Sequence, residues 1–350
     1  MHRIKIKTPQ GSSLLMMNGD ISEVASLLPS SGVFIITDTN VRQYYGGIFP
    51  ACTVLETEPG ERSKSLETAG DLCLRLLDAG ADRSSFIIGF GGGVVCDLAG
   101  LVASIFMRGV RHGFVSTTLL SQVDASIGGK TGVNLGEYKN IIGTFRQPEF
   151  VLCDHHMLST LPDEEFMSGM GELMKHAVIS DRNLFYDISS SVDRIFERDP
   201  VILAPFIERA VRIKAAVVSR DPFEKGPRRI LNFGHTFGHV LETYYRIPHG
   251  MAVVEGMHIA AELSVWTGDM SHSEFRMLEG VMEKAGMTEE HELPPGIISL
   301  IAKDKKSESG AINMVLLRSV GKAIVKRMNK SDLEDFVQYY RDSKGKSKRG

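Results

Sequence analysis

The first half of the chain alternates two kinds of pattern. Short apolar, β-rich runs occur at "GVFIITD" (32–38), within "ADRSSFIIGFGGG" (81–93), at "GFVSTTLL" (113–120) and at "EFVLCD" (149–154). Helix-spaced apolar positions lie between them, as in "SLETAGDLCLRLLDAG" (65–80). Strands alternating with helices read as a parallel sheet covered by helices, whose ligands sit at the carboxyl ends of the strands. The second half reads mainly as helix, at "DEEFMSGMGELMKHAVI" (163–179), "VILAPFIERAVRIKAAVVSRD" (201–221) and "GMAVVEGMHIAAELSVWTG" (250–268). A boundary is expected at 157/158, with no Gly/Ser linker. The basic, apolar-free end "SKGKSKRG" (343–350) is expected to be a disordered, solvated tail.

Composition removes several classes. At 43% hydrophobic and 24% charged, the 350 residues suit a globular protein with a large core. A net charge of -3 offers no general field for nucleic acid. No apolar run is long enough to span a bilayer, and "MHRIKIKTPQ" lacks the pattern of a signal peptide. Cys52, Cys73, Cys96 and Cys153 are far apart and form no CxxC pair, which argues against a disulfide framework or a cysteine zinc site. A reduced, cytoplasmic setting is expected, with no nucleic-acid or membrane partner.

"GFGGGVVCDLAG" (89–100) follows a strand and opens a helix, yet G-x-G-x-x-G fails in both frames, at Val94 and at Cys96. Gly91, Gly92 and Gly93 leave backbone N–H groups unobstructed at a helix N-terminus, which suits a pyrophosphate. A tight structural turn would look the same. Asp38 and Asn40 in "TDTN" follow a strand, where an acid can bind ribose hydroxyls or simply cap a turn. "TTLLSQVDASIGGKTGVN" (117–134) gathers Asp124, Lys130 and Asn134 among glycines, and "EYKN" adds Lys139 and Asn140. Such a density of Lys and Asn suits an anionic, hydroxylated ligand.

Three of the eleven histidines, His235, His239 and His249, fall within fifteen residues. His235 and His239 are four apart, so they share a face if "HTFGHVLETYY" is helical. Position 236 is Thr, which excludes HExxH. "SGMGELMKHA" supplies Glu172 in a mostly apolar helix, with Lys175 one turn on. Two His and one Glu would make an open catalytic metal site. Any single histidine is better read as a core or surface residue, but the trio beside "NFG" favours metal.

Together "GGGVVCDLAG", "TTLLSQVDASIGGKTGVN", "IIGTFRQP", "SGMGELMKHA", "LNFGHTFGH" and "HGMAV" resemble 3-dehydroquinate synthase, in order and over nearly the whole chain. The resemblance implies an α/β, Rossmann-like N-terminal nucleotide-binding domain (1–157) followed by a mainly α-helical metal- and substrate-binding domain (158–342). It implies conversion of 3-deoxy-D-arabino-heptulosonate 7-phosphate to 3-dehydroquinate and phosphate in the shikimate pathway, a phosphate-eliminating lyase reaction. The route is transient oxidation, phosphate elimination, reduction and intramolecular aldol cyclisation, with NAD and a divalent metal, zinc or cobalt.

Matched by motif, the metal ligands are Glu172, His235 and His249, and His239 is a substrate-contacting proton-transfer residue. The NAD matches are Asp38, Asn40, Glu61, Lys64, Gly92, Gly93, Val94, Asp97, Thr117, Thr118, Lys139 and Thr160. The substrate matches are Asp124, Lys130, Asn140, Lys175, Lys214, Arg228, Asn232 and, in "KDKK", Lys305. Arg108 in "FMRG" resembles an arginine that reaches the neighbouring subunit's phosphate site, which implies a homodimer. Cys96 stands where the family usually has glycine. Related sugar-phosphate cyclases and the more distant metal-dependent polyol dehydrogenases are the alternatives. Arg228 argues for a carboxylate on the substrate, and a dehydrogenase would release NADH.

Overall fold

The computed structural model describes residues 2–136, 138–288, 290–304 and 311–347. In chain order the first half contains β1 (His2–Thr8), β2 (Gly11–Met17), β3 (Val33–Asp38), α1 (Thr39–Tyr45), β4 (Thr53–Thr57), α2 (Leu66–Asp78), β5 (Phe86–Gly91), α3 (Gly93–Ile105), β6 (Arg111–Ser116), β7 (Lys130–Leu135), β8 (Tyr138–Phe145) and β9 (Phe150–Cys153). The remainder contains α4 (Asp163–Ser180), α5 (Arg182–Phe196), α6 (Pro200–Arg220), α7 (His235–Tyr245), α8 (His249–Trp266), α9 (His272–Lys284), α10 (Ile297–Asp304), β10 (Ala311–Ser319), β11 (Lys322–Asn329) and α11 (Lys330–Ser347).

A seven-stranded sheet runs β1-β2-β9-β6-β5-β3-β4. Its pairings are parallel except at the β1–β2 edge hairpin. The four apolar runs of the sequence become the neighbours β9, β6, β5 and β3. β5 and β9 are buried at every residue, because helices cover both faces of a parallel sheet. Alternation splits β3 between the two layers: Phe34 and Ile36 pack with Leu72, Leu76, Leu98 and Val102, while Ile35 packs with Ile88, Phe90 and Val115 on the other face. Edge strand β1, "HRIKIKT", keeps its lysines exposed and buries Ile6.

From β3 the chain moves outward to β4, then returns to the far side of β3 as β5. That reversal makes the carboxyl ends of β3 and β5 a switch point, where open α/β sheets bind ligands. β7 and β8 form a separate antiparallel hairpin, as do β10 and β11.

The chain divides into two compact units, Met1–Gly169 with Arg194–Glu224, and Met170–Asp193 with Lys225–Gly350. Helix α6 lies in the first unit although it follows residue 158. Its buried side, including Leu203, Ile207, Ala210, Val211 and Val218, packs beside β1 and the turns at Ser121–Ala125 and His155–Thr160. Helix α11 continues to Ser347, into the segment expected as a tail. Near that end Lys344 pairs with Glu290 at 2.6 Å and lies over the Tyr340 ring.

Candidate active site and metal centre

In the first unit, the parallel register pairs Ile36 with Gly89, so Asp38 and the glycines after β5 emerge at one edge. Thr37 Oγ1 donates to the Phe90 carbonyl at 2.8 Å and ties the two strand ends together. Asp38 caps α1, accepting from the Val41 N–H at 2.9 Å, and burial pushes its carboxyl above the usual range. Asn40 is exposed in the first turn.

Gly92 is the N-cap of α3 and makes no side-chain cap, with Gly93 and Val94 in the first turn. A Cβ on Gly92 would lie 2.8 Å from Thr118 Cγ2, and one on Gly91 2.7 Å from Val95 Cβ. The close approaches account for the glycines by packing, and Gly92 leaves the N-terminus of α3 without a side-chain cap at the switch point. Thr117 donates its N–H to the Gly91 carbonyl at 3.0 Å.

A second polar group lies beside α3. Lys64, 6% exposed, pairs with Asp97 at 2.6 Å. Burial raises the Asp97 carboxyl, and Lys64 opposes the rise. Asn134 donates from Nδ2 to Glu61 at 2.8 Å, and its Oδ1 accepts the Asn140 N–H at 2.9 Å. Lys139 is exposed on β8. Thr160 ends the turn after β9, its hydroxyl against the Tyr45 hydroxyl.

Lys214, buried on α6, pairs with Asp124 at 2.6 Å. Lys130 pairs with Glu224, which the sequence reading had not singled out. Arg108 is exposed in a turn where Met107 and Arg108 both take positive φ, 47° and 68°. Two adjacent non-glycine residues in that region carry backbone strain, and such strain clusters at functional positions.

The second unit holds the histidines. Glu172 is fully buried on α4, three residues before Lys175, with which it forms an ion pair. His235 opens α7 and His249 opens α8. Glycines let α4 at Glu172 and the starts of α7 and α8 come close together. A Cβ on Gly171 would lie 2.6 Å from the Gly250 carbonyl oxygen, and one on Gly256 2.0 Å from that of Gly234. Gly234, with φ +81°, also takes the turn into α7 that side chains resist.

His235 Nε2 is 3.4 Å and His249 Nε2 is 3.5 Å from the same oxygen, Glu172 Oε1. One ligand atom from each of the three residues lies within 4.8 Å of the others. Each imidazole turns its other nitrogen outward: His235 Nδ1 is 3.2 Å from the Phe233 carbonyl, and His249 Nδ1 is 3.2 Å from Glu242. Burial, with Lys175 close by, drives His235 well below its ordinary pKa. Burial opposes the charge on His249 too, but Glu172 and Glu242 outweigh it and hold the pKa up at about 9.

The His239 ring centroid is 5.2 Å from that of His235 and 6.0 Å from that of His249. Arg228, 2% exposed, and Asn232 lie in the short helix Pro227–Asn232 leading into α7. Lys305 lies outside the described residues. Glu242, which lies against His249, is another residue that sequence reading had not singled out. Its signal was available: it stands seven residues after His235 and three after His239, on their face of the helix.

Comparison with known proteins finds one family in both halves of the chain. Residues 54–168 match the family model described as 3-dehydroquinate synthase N-terminal, and residues 169–307 match 3-dehydroquinate synthase C-terminal. The 3-dehydroquinate synthase of Alkaliphilus metalliredigens is 38% identical over 90% of this chain and 94% of its own. That of Koribacter versatilis is 40% identical over 93% and 94%. Among solved structures, 2-deoxy-scyllo-inosose synthase with carbaglucose-6-phosphate, NAD+ and Co2+ superposes with TM-score 0.84 at 26% identity, covering 96% of this chain and 99% of its own. The 2-epi-5-epi-valiolone synthase of Streptomyces hygroscopicus, with NAD+ and Zn2+, gives 0.86 at 25%, covering 97% and 98%. With both halves matched by models of one family and curated relatives aligned nearly end to end, the chain belongs to the 3-dehydroquinate synthase family.

Proposed function

We propose that this chain converts 3-deoxy-D-arabino-heptulosonate 7-phosphate to 3-dehydroquinate and phosphate as a carbon–oxygen lyase. NAD and a divalent metal, zinc or cobalt, would be its cofactors. The observation that carries the metal is the spacing of the donor atoms. Ligand atoms bound tetrahedrally to zinc at about 2.1 Å stand roughly 3.4 Å apart. Glu172 Oε1 lies 3.4 Å from His235 Nε2 and 3.5 Å from His249 Nε2. A carboxylate and two imidazoles presenting Nε2 are the donor set of an open catalytic site.

NAD would lie at the switch point, with Asp38 and Asn40 toward a ribose and Gly92, Gly93 and Val94 toward the pyrophosphate. Glu61, Lys64, Asp97, Thr117, Thr118, Lys139 and Thr160 complete the expected NAD contacts. The bound cofactors of the two related cyclases support this reading.

NAD supplies a hydride acceptor and donor, and the metal a Lewis acid for the substrate's hydroxyl oxygens. The protein's residues do the rest. Arg228, Lys130, Lys175, Lys214 and Lys305 neutralise carboxylate and phosphate, with Asp124, Asn140 and Asn232 orienting hydroxyls. The His239 imidazole, beside the metal ligands, carries the proton to or from the substrate. Arg108 would complete the phosphate site of a second subunit, making the unit a homodimer. We place it in the cytoplasm, in the shikimate pathway.

The test is to add the heptulosonate phosphate with catalytic NAD and follow phosphate and dehydroquinate. Stoichiometric release without net NADH is expected. NADH rising in step with substrate loss would instead mean a dehydrogenase, and turnover of only a carboxylate-free sugar phosphate would mean a related cyclase. Alanine at Glu172, His235 or His249 should each abolish bound zinc in a folded protein, and full metal content in all three would remove the assignment.

A further inference from the structure

We infer that Glu242 is a positioning residue for the metal, holding His249 in the tautomer and orientation that present Nε2 to it. The inference rests on the metal reading above. The two histidine ligands are held differently. His235 is packed in, with a side chain 11% exposed, and its Nδ1 faces the carbonyl of Phe233, two residues back in its own chain. That contact comes with the local backbone.

His249 has no such support. It begins α8 directly after Pro248, at an N-cap that makes no side-chain hydrogen bond, and its side chain is 31% exposed. The preceding connection passes through Arg246 in the left-handed region, at φ 57°. Packing alone does little to fix a ring at such a junction.

Glu242 reaches it from the neighbouring helix. The carboxylate is 8% exposed and lies 3.2 Å from His249 Nδ1, opposite the nitrogen that faces Glu172. An imidazole that donates Nδ1–H to a carboxylate must offer its Nε2 lone pair to a metal, and the carboxylate makes that nitrogen a stronger donor. His235, His239 and Glu242 stand at i, i+4 and i+7 of α7, so one helical face supplies a ligand, a proton carrier and the brace for the second ligand.

The test uses the full chain stripped of metal and titrated with zinc against a chelating indicator, and with cobalt followed by visible absorption. Wild type, Glu172→Gln, Glu242→Gln and Glu242→Ala are compared, with helical circular dichroism and melting of the metal-free forms as controls. Losing such a partner weakens metal binding by roughly 10–100-fold. Glu242→Ala should fall in that range. Glu242→Gln, whose amide oxygen still accepts from Nδ1–H without the charge, should lie between it and wild type. The cobalt bands of both should shift. A purely structural role would lower the melting temperature and leave zinc affinity and the cobalt spectrum unchanged. If Glu242→Ala does not fold, the near-isosteric glutamine variant decides. Zinc binding by both variants within about twofold of wild type, while Glu172→Gln loses it, overturns the inference and leaves the metal reading standing. Failure of wild type itself to bind zinc overturns both.

Discussion

Replacing Lys175 by methionine would test what neutralises Glu172. Both side chains are buried, 1% and 0% exposed, and they form an ion pair on one face of α4. Methionine fills the space of the lysine stem, so the substitution removes a charge more than it opens a cavity. Removing one partner of a buried pair costs about 3–5 kcal/mol. The Coulomb energy of two charges about 3 Å apart at an effective dielectric of about 20 is of the same size. In the metal-free protein His249 also faces Glu172 and is held protonated, with a pKa of about 9. That second cation puts the loss near the lower end, about 3 kcal/mol.

Zinc should narrow the gap. The ion meets the charge on Glu172 directly, and removing the lysine removes a cation that repels it. Ligand at about 100 times its dissociation constant stabilises a folded protein by about 2.7 kcal/mol. The variant should therefore gain more than wild type at equal free zinc, because its dissociation constant is lower. Chemical denaturation of metal-stripped and zinc-loaded protein at one pH measures both effects. A metal-free loss below about 1 kcal/mol, or a smaller zinc increment in the variant than in wild type, would refute the reasoning.

Three further outcomes are expected. Gly100→Ala places a Cβ 2.4 Å from Thr131 Cγ2 and 3.1 Å from Phe114 Cζ, between α3, β7 and β6, and overpacking of this kind should cost about 1–3 kcal/mol in unfolding free energy; an unchanged denaturation midpoint would contradict it. Arg228→Ala should lower kcat/KM by the loss of one charge-assisted contact, about 1.5–3 kcal/mol, and wild-type efficiency would weaken the carboxylate assignment. Mixing inactive Arg108→Ala with inactive His239→Ala protein should restore activity toward about a quarter of wild-type sites, since each mixed dimer has one intact site; no recovery despite proven subunit exchange would confine Arg108 to its own chain.

Much of this protein was legible in sequence. Four β-rich runs were expected as strands of a parallel sheet, and they became its adjacent strands β9, β6, β5 and β3, because a strand covered on both faces reads as a near-continuous apolar run. The helical periods at 163–179, 201–221 and 250–268 correspond to α4, α6 and α8. Glu172, His235 and His249 were selected by residue type and motif, and the fold gathers their donor atoms within 4.8 Å.

Other features depended on tertiary structure. Asp38 precedes the glycines by more than fifty residues, which spoils the usual dinucleotide fingerprint, yet β3 and β5 are neighbours and their ends meet. No local pattern states which strands pair, since pairing is a long-range choice. Helix α6 carries an ordinary apolar period, and only packing assigns it to the first unit. The basic end looked too polar to order, and helix α11 runs into it as far as Ser347, with Lys344 paired to Glu290 and over the Tyr340 ring. Glu242 stood in plain view at helical spacing from two histidines. Its role needs the turn that brings His249 back over α7, and that approach is set by glycines whose missing side chains leave no pattern of their own.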